Sequence, residues 1–159
     1  MGLSLALVGC SPQEPDFSAG QPVPPEFPDA EAYARQVFAL TNELRAERGL
    51  SELEWAQCAV DIASSRLTLI VASQEFAHPD SSTTCADATA SGENLAHGIF
   101  LPAQLLGEWE ASAGHFSNLV NPDYRRTGVA CILTGIDEPL EPAGGQDVGG
   151  ILCSQVFED

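Results

Sequence analysis

Four cysteines, Cys58, Cys85, Cys131 and Cys153, set the tightest limit on what this chain can fold into. None stands in a C-x-x-C spacing, which argues against a thiolate metal site. An even set in an oxidising compartment closes two loops, and three pairings are open. The fifth cysteine, Cys10, lies apart from them near the N-terminus. With 159 residues, 44% of them apolar, the chain is the size of one domain, and such a core buries about two-thirds of its unfolded surface. No apolar run approaches the roughly 20 residues of a membrane-spanning helix. Six arginines, no lysine and 23 acids leave a net charge of −17. A chain this acidic repels phosphate, which excludes nucleic acid as a partner and argues against a basic membrane-surface patch.

The first ten residues read as a signal segment. An apolar run, Leu3 to Val8, ends in Leu7-Val8-Gly9-Cys10. That tetrad resembles the lipobox of bacterial lipoproteins, in which the cysteine becomes the lipidated first residue of the mature chain. The run is short and no Lys or Arg precedes it, unlike a full signal peptide. Residues 11–28 hold Pro12, Pro15, Pro22, Pro24, Pro25 and Pro28 among Ser, Gln, Gly and acids. This composition cannot propagate a helix and has little to bury, so it reads as an extended linker. The expected organisation is a lipoprotein-like segment at 1–10, a linker at 11–28 and one domain at 29–159, exported and held to a membrane through Cys10.

The domain opens on an amphipathic pattern. Asp29 suits an N-cap, Val37, Leu40, Thr41 and Leu44 share one helical face, and Gly49 supplies a left-handed stop. A second helix is expected from Ser51, whose spacing to Glu54 is that of a capping box. Trp55, Ala59, Ile62, Ala63, Leu67, Ile70 and Val71 carry its stripe to about residue 72. Residues 73–92 lose periodicity and read as an ordered loop around His78. Pro102 suits the first position of a third helix ending near Ala111. Thr127–Thr134 and Gly150–Phe157 read as antiparallel strands, joined by a surface connection at 137–149. The class is α+β. The strand reading favours Cys131–Cys153, each cysteine being near mid-strand, and leaves Cys58–Cys85 to tie the second helix to the loop. Each loop of this size contributes roughly 3 kcal/mol in the chain-entropy model.

The chain has three histidines. His78 follows Phe76-Ala77, His97 closes Gly92-Glu93-Asn94-Leu95-Ala96-His97, and His115 lies six residues after Trp109. Neutral imidazoles beside a carboxylate hold Zn²⁺ or another divalent ion, or perform general acid–base work. Asn42-Glu43-Leu44-Arg45, Phe76-Ala77-His78, Gly92-Glu93-Asn94-Leu95 and Trp109-x-x-Ser112-x-x-His115-x-x-Asn118 together resemble the ordered motifs of the CAP (or SCP) superfamily. That superfamily includes cysteine-rich secretory proteins, venom antigens, plant pathogenesis-related proteins and bacterial exported proteins. Ala113 replaces the bacterial branch's Pro, while Thr127-Gly128-Val129-Ala130 and Val156-Phe157 fit its last strands.

The resemblance implies a three-layer α-β-α sandwich whose cleft gathers His78, Glu93, Ser112 and His115, with His78 and His115 as metal ligands. Eukaryotic members carry a second Glu where this chain has Ser112, so the acid–histidine tetrad is incomplete. Asn42 and Arg45 are expected to make buried hydrogen bonds that pin helix to loop, Asn94 to form a turn and Asn118 to tie the segment after His115. Trp55 and Trp109 read as core, and His97 as outside the cleft. The function implied is an exported binding module for a small apolar, lipid or peptidic ligand. The alternative is a hydrolase of peptide or cell-wall material with Glu93 as base. Fold alone does not choose between them.

Overall fold

Asp29 starts the first helix as its sequence predicts: its carboxylate accepts the Ala32 N–H at 2.8 Å. Helix α1 runs Ala30–Glu47 with Val37, Thr41 and Leu44 buried, and ends at Gly49, whose φ of 69° is left-handed and suits a residue without Cβ. The computed structural model describes residues 28–73, 75–78, 84–134 and 150–159. The signal-like segment, the linker up to residue 27 and the connection at 137–149 lie outside these residues.

The second helix does not begin at Ser51. Glu54–Trp55 forms a short strand, β1, and helix α2 spans Gln57–Ser73. Tertiary hydrogen bonds override the local capping signal. Asn42 donates to the Leu53 carbonyl at 3.0 Å and accepts from its N–H at 2.8 Å, and Arg45 holds the Ser51 carbonyl at 2.8 Å. The extended backbone continues into the sheet, where the Glu54 and Ala56 N–H groups bond the Arg125 and Thr127 carbonyls, both at 2.9 Å. Trp55 therefore sits at the sheet margin rather than on α2, its ring 5.2 Å from Phe38 and beneath the Arg35 guanidinium at 3.8 Å.

Three longer strands complete the sheet: β2 (Ser91–Gly98), β3 (Arg126–Thr134) and β4 (Gly150–Glu158), in the order β1-β3-β4-β2. β3 and β4 pair antiparallel, as expected. In place of the expected loop up to residue 92 and turn at Asn94, β2 pairs antiparallel with β4 along its whole length. Helix α3 runs Pro102–Ala111 as predicted. A further helix, α4 (Ala113–Leu119), follows a kink at Ser112 and is not signalled by the local sequence pattern.

The sheet lies between two helical layers. Side chains alternate along a strand, so Ile151, Cys153 and Phe157 face α1 and α3, joining Tyr33, Val37, Leu105 and Trp109. Leu152 and Val156 face α2, joining Ile62, Leu67 and Ile70. Burial on both faces explains why β4 reads as a near-continuous apolar run. Gly128 marks the closest approach of α2: a Cβ there would lie 2.1 Å from the Val60 nitrogen and 2.3 Å from the Ala59 carbonyl carbon. Both expected disulfides form. Cys131–Cys153 joins register partners on β3 and β4, and Cys58–Cys85 ties α2 to the segment beyond His78. The three-layer α-β-α sandwich follows.

Candidate functional site

Glu93 is the centre of the site. It stands on β2 on the face turned toward α2, its side chain 8% exposed. Three groups surround its carboxylate. The Ser154 hydroxyl, from neighbouring β4, donates to Oε1 at 2.7 Å. Arg66, from α2, brings Nε to 3.3 Å of Oε1 and Nη1 to 3.5 Å of Oε2. His78 meets Oε2 through Nδ1 at 2.9 Å. An ionised carboxylate only accepts hydrogen bonds, so Nδ1 carries the proton and neutral His78 keeps Nε2 as an acceptor. The His78 side chain is 56% exposed: the buried acid is reached from solvent past this imidazole.

The segment carrying His78 is anchored on both sides. Before it, the Glu75 N–H bonds the Ser73 hydroxyl at 3.2 Å. After it, the disulfide holds Cys85, whose N–H donates to Glu158 at 2.8 Å. Arg126 grips Asp87 through two nitrogens at 2.8 Å each, and Asp159 accepts the Thr89 and Ala90 N–H groups at 2.8 and 3.0 Å. The Arg126 guanidinium holds the Asp87 carboxyl below its ordinary range. The Thr89 hydroxyl and the two amides bring Asp159 down to about 2.

His115, on α4, is held beside β2 by side chains that bond to the backbone of that strand. Trp109 donates from Nε1 to the Leu95 carbonyl at 3.1 Å, and Asn118 to the Glu93 carbonyl at 3.2 Å. Asn118 also donates to the Asn94 side-chain oxygen at 2.9 Å, and Asn94 donates in turn to the His115 carbonyl at 3.1 Å. Because β2 is the edge strand, these bonds also occupy carbonyls that an edge would otherwise expose. Burial first, and repulsion from His78 when it is protonated second, lower the His115 pKa from the ordinary 6.5.

The remaining expectations divide by role. Asn42 and Arg45 do pin α1 to its neighbours, Arg45 also holding the Leu119 and Asn121 carbonyls at 2.9 Å. Asn94 is a buried strand residue rather than a turn former. Ser112 serves the α3–α4 junction, its carbonyl accepting the Phe116 N–H at 2.8 Å, and it contributes none of the hydrogen bonds to Glu93. His97 shares the face of Glu93 through strand alternation, and its ring lies 5.7 Å from Phe76. Arg66 and Ser154 were not anticipated. The signal for Arg66 was its position: it interrupts the buried stripe of Ile62, Ala63, Leu67 and Ile70, where an arginine requires a carboxylate partner.

The donor set does not fit a resident divalent ion. Among the described residues no group of three or more His, Cys, Asp or Glu side chains is placed to hold one. Both Glu93 oxygens are engaged, and a protein metal site ordinarily needs three or four ligands. An apolar groove of about 470 Å³, lined by Leu67, Val71, Ala130 and Ile132 among others, runs between α2 and β3. It lies on the other flank of α2 from Arg66 and Glu93.

This sandwich, with a Glu–His cleft at the edge strand, defines the class. The model of the cysteine-rich secretory protein family, CAP, matches residues 38–136. The chain belongs to that family. Over 105 residues, 60% of its length, it is 30% identical to the uncharacterized membrane protein YlbC of Bacillus subtilis (strain 168) and covers 30% of that protein. An extracellular protein containing a SCP domain from Bacillus anthracis str. Ames superposes with a TM-score of 0.61 at 22% identity, over 81% of this chain and 41% of that one. An outer surface protein from Borrelia burgdorferi superposes with a TM-score of 0.67 at 19% identity, over 83% of this chain and 96% of that one.

Proposed function

We propose that the chain is an exported CAP-domain binding module, anchored to a membrane through Cys10, whose cleft takes a small peptidic or apolar ligand. The observation that carries this reading is the engagement of Glu93 by His78, Arg66 and Ser154. A carboxylate engaged from three sides by the chain's own groups is not placed to take a proton from a bound substrate or water. What the cleft presents outward is the Nε2 acceptor of His78, suited to an amide N–H or a hydroxyl. The groove between α2 and β3 supports an apolar ligand. Its separation from Glu93 means that a lipid chain and a peptide would use different faces of α2. Two disulfides and the extracellular and surface proteins among the structural neighbours support export.

A second reading, a hydrolase, is favoured by the His78–Glu93 pair itself. An imidazole oriented through Nδ1 by a carboxylate is the arrangement of a catalytic base. In that case His78 acts as base and Glu93 positions it, reversing the role expected from sequence. Incubation with N-acetyl-Ala-Ala-Ala-amide and with p-nitrophenyl butyrate, beside Glu93→Gln and His78→Ala, separates the readings. A binding module shifts the His78 imidazole resonances with the peptide and releases no product. Product formation that His78→Ala abolishes overturns the binding reading.

A further inference from the structure

The acid that the family resemblance would offer to a metal already holds a cation belonging to the chain. Arg66 projects from the middle of the buried stripe of α2, its side chain 10% exposed, with Nε 3.3 Å from Glu93 Oε1 and Nη1 3.5 Å from Oε2. A guanidinium keeps its charge at every physiological pH. A divalent ion approaching Glu93 must share the carboxylate with that charge or displace Arg66 from its seat between α2 and the sheet. The first course places two cations against one anion, and the second breaks the Arg66–Glu93 ion pair and unseats a guanidinium packed between α2 and the sheet. Ser154 and His78 take further lone pairs of the same carboxylate.

We infer that Arg66 is a specificity-determining residue: it fills the cation position beside Glu93, excludes divalent metal from that carboxylate and keeps the cleft for uncharged ligands. The inference goes beyond the binding reading and does not depend on it, since a hydrolase built on His78 would be subject to the same exclusion.

The test is titration of the full chain with Zn²⁺ alone, followed by calorimetry and by the imidazole resonances of His78 and His115. Arg66→Met keeps the apolar stem and removes the charge, and Arg66→Met/Glu93→Gln removes both charges. The wild type is expected to show no saturating zinc site in the cleft. Arg66→Met should bind zinc at least about tenfold more tightly than the wild type, the scale on which groups around a ligand tune metal affinity, and the double variant should lose that gain. A wild-type site that saturates at one equivalent and that Glu93→Gln abolishes would overturn the inference. So would an Arg66→Met variant no tighter than wild type. If Arg66→Met does not fold, Arg66→Gln takes its place in the same titration: tighter zinc binding than wild type that Arg66→Gln/Glu93→Gln loses supports the inference, and binding no tighter than wild type contradicts it.

Discussion

Two buried glutamates on the α2 side of the sheet have similar partners and opposite surroundings. Glu158, at the end of β4, is completely buried. Its Oε1 accepts the Cys85 N–H at 2.8 Å, and its Oε2 accepts from Arg126 Nε at 3.2 Å. Arg126 is itself tied off by the exposed Asp87. Glu93 also pairs with one arginine, but part of its shell is an imidazole open to water. Burial and ion pairing are therefore common to both and do not distinguish a site from a staple. The difference lies in the outermost partner: a carboxylate that ends the network at Glu158, and an acceptor nitrogen that leaves it incomplete at Glu93.

Breaking each cluster should have unequal effects. Glu158→Gln leaves Arg126 without its buried partner and should lower unfolding stability by about 3 kcal/mol, the lower end for such a loss because Asp87 still pairs. Urea denaturation checks this. Glu93→Gln should lower it by only about 1–2 kcal/mol in the same experiment, because water reaches the site past His78 and the amide still accepts from Ser154. Equal losses would mean that the Glu93 cluster is as sealed as its counterpart.

Protonation sharpens the contrast. The His115 pKa lies below its ordinary 6.5, with burial the larger cause. The unfolded chain therefore binds more protons just below that pH, and stability should fall as pH drops from about 6.5 toward the folded value. His78→Ala should raise the His115 midpoint only part of the way to 6.5, as followed by proton NMR. In the other cluster the depressed carboxyls act with the same sign in a more acidic range. Asp159, at about 2, contributes stability that is present above the ordinary carboxyl range and lost as pH falls toward 2. Amide exchange at Thr89 and Ala90 should quicken in that range before exchange in β3 and β4 does, the smallest of these effects.

The same contrast explains what was legible in the sequence. α1, α3, β3 and β4 follow patterns that local chemistry writes plainly: the Asp29 cap, Pro102 at a helix start and apolar strands around Cys131 and Cys153. Both disulfides followed from those strands. β2 carries no such pattern, because its Gly92, Glu93 and Asn94 are chosen for partners on α2, α4 and β4 rather than for a strand surface. β1 was hidden for the same reason, since Asn42 and Arg45 fix its approach from a distance. The family motifs pointed to His78, Glu93 and His115, of which the structure brings the first two into hydrogen-bond contact. Arg66 was visible only as a charge out of place on an apolar stripe, and Ser154 only as a polar break in β4. Neither could be given a partner before the layers were stacked.

Both readings of the cleft, binding module and hydrolase, rest on Glu93 holding His78 through Nδ1 and leaving Nε2 open to a ligand. Long-range proton–nitrogen NMR of the imidazoles at pH 8, in wild type and Glu93→Gln, tests this most directly. The predicted result is a wild-type His78 protonated on Nδ1, reverting toward the Nε2–H form in the variant. A wild-type His78 already in the Nε2–H form would contradict it.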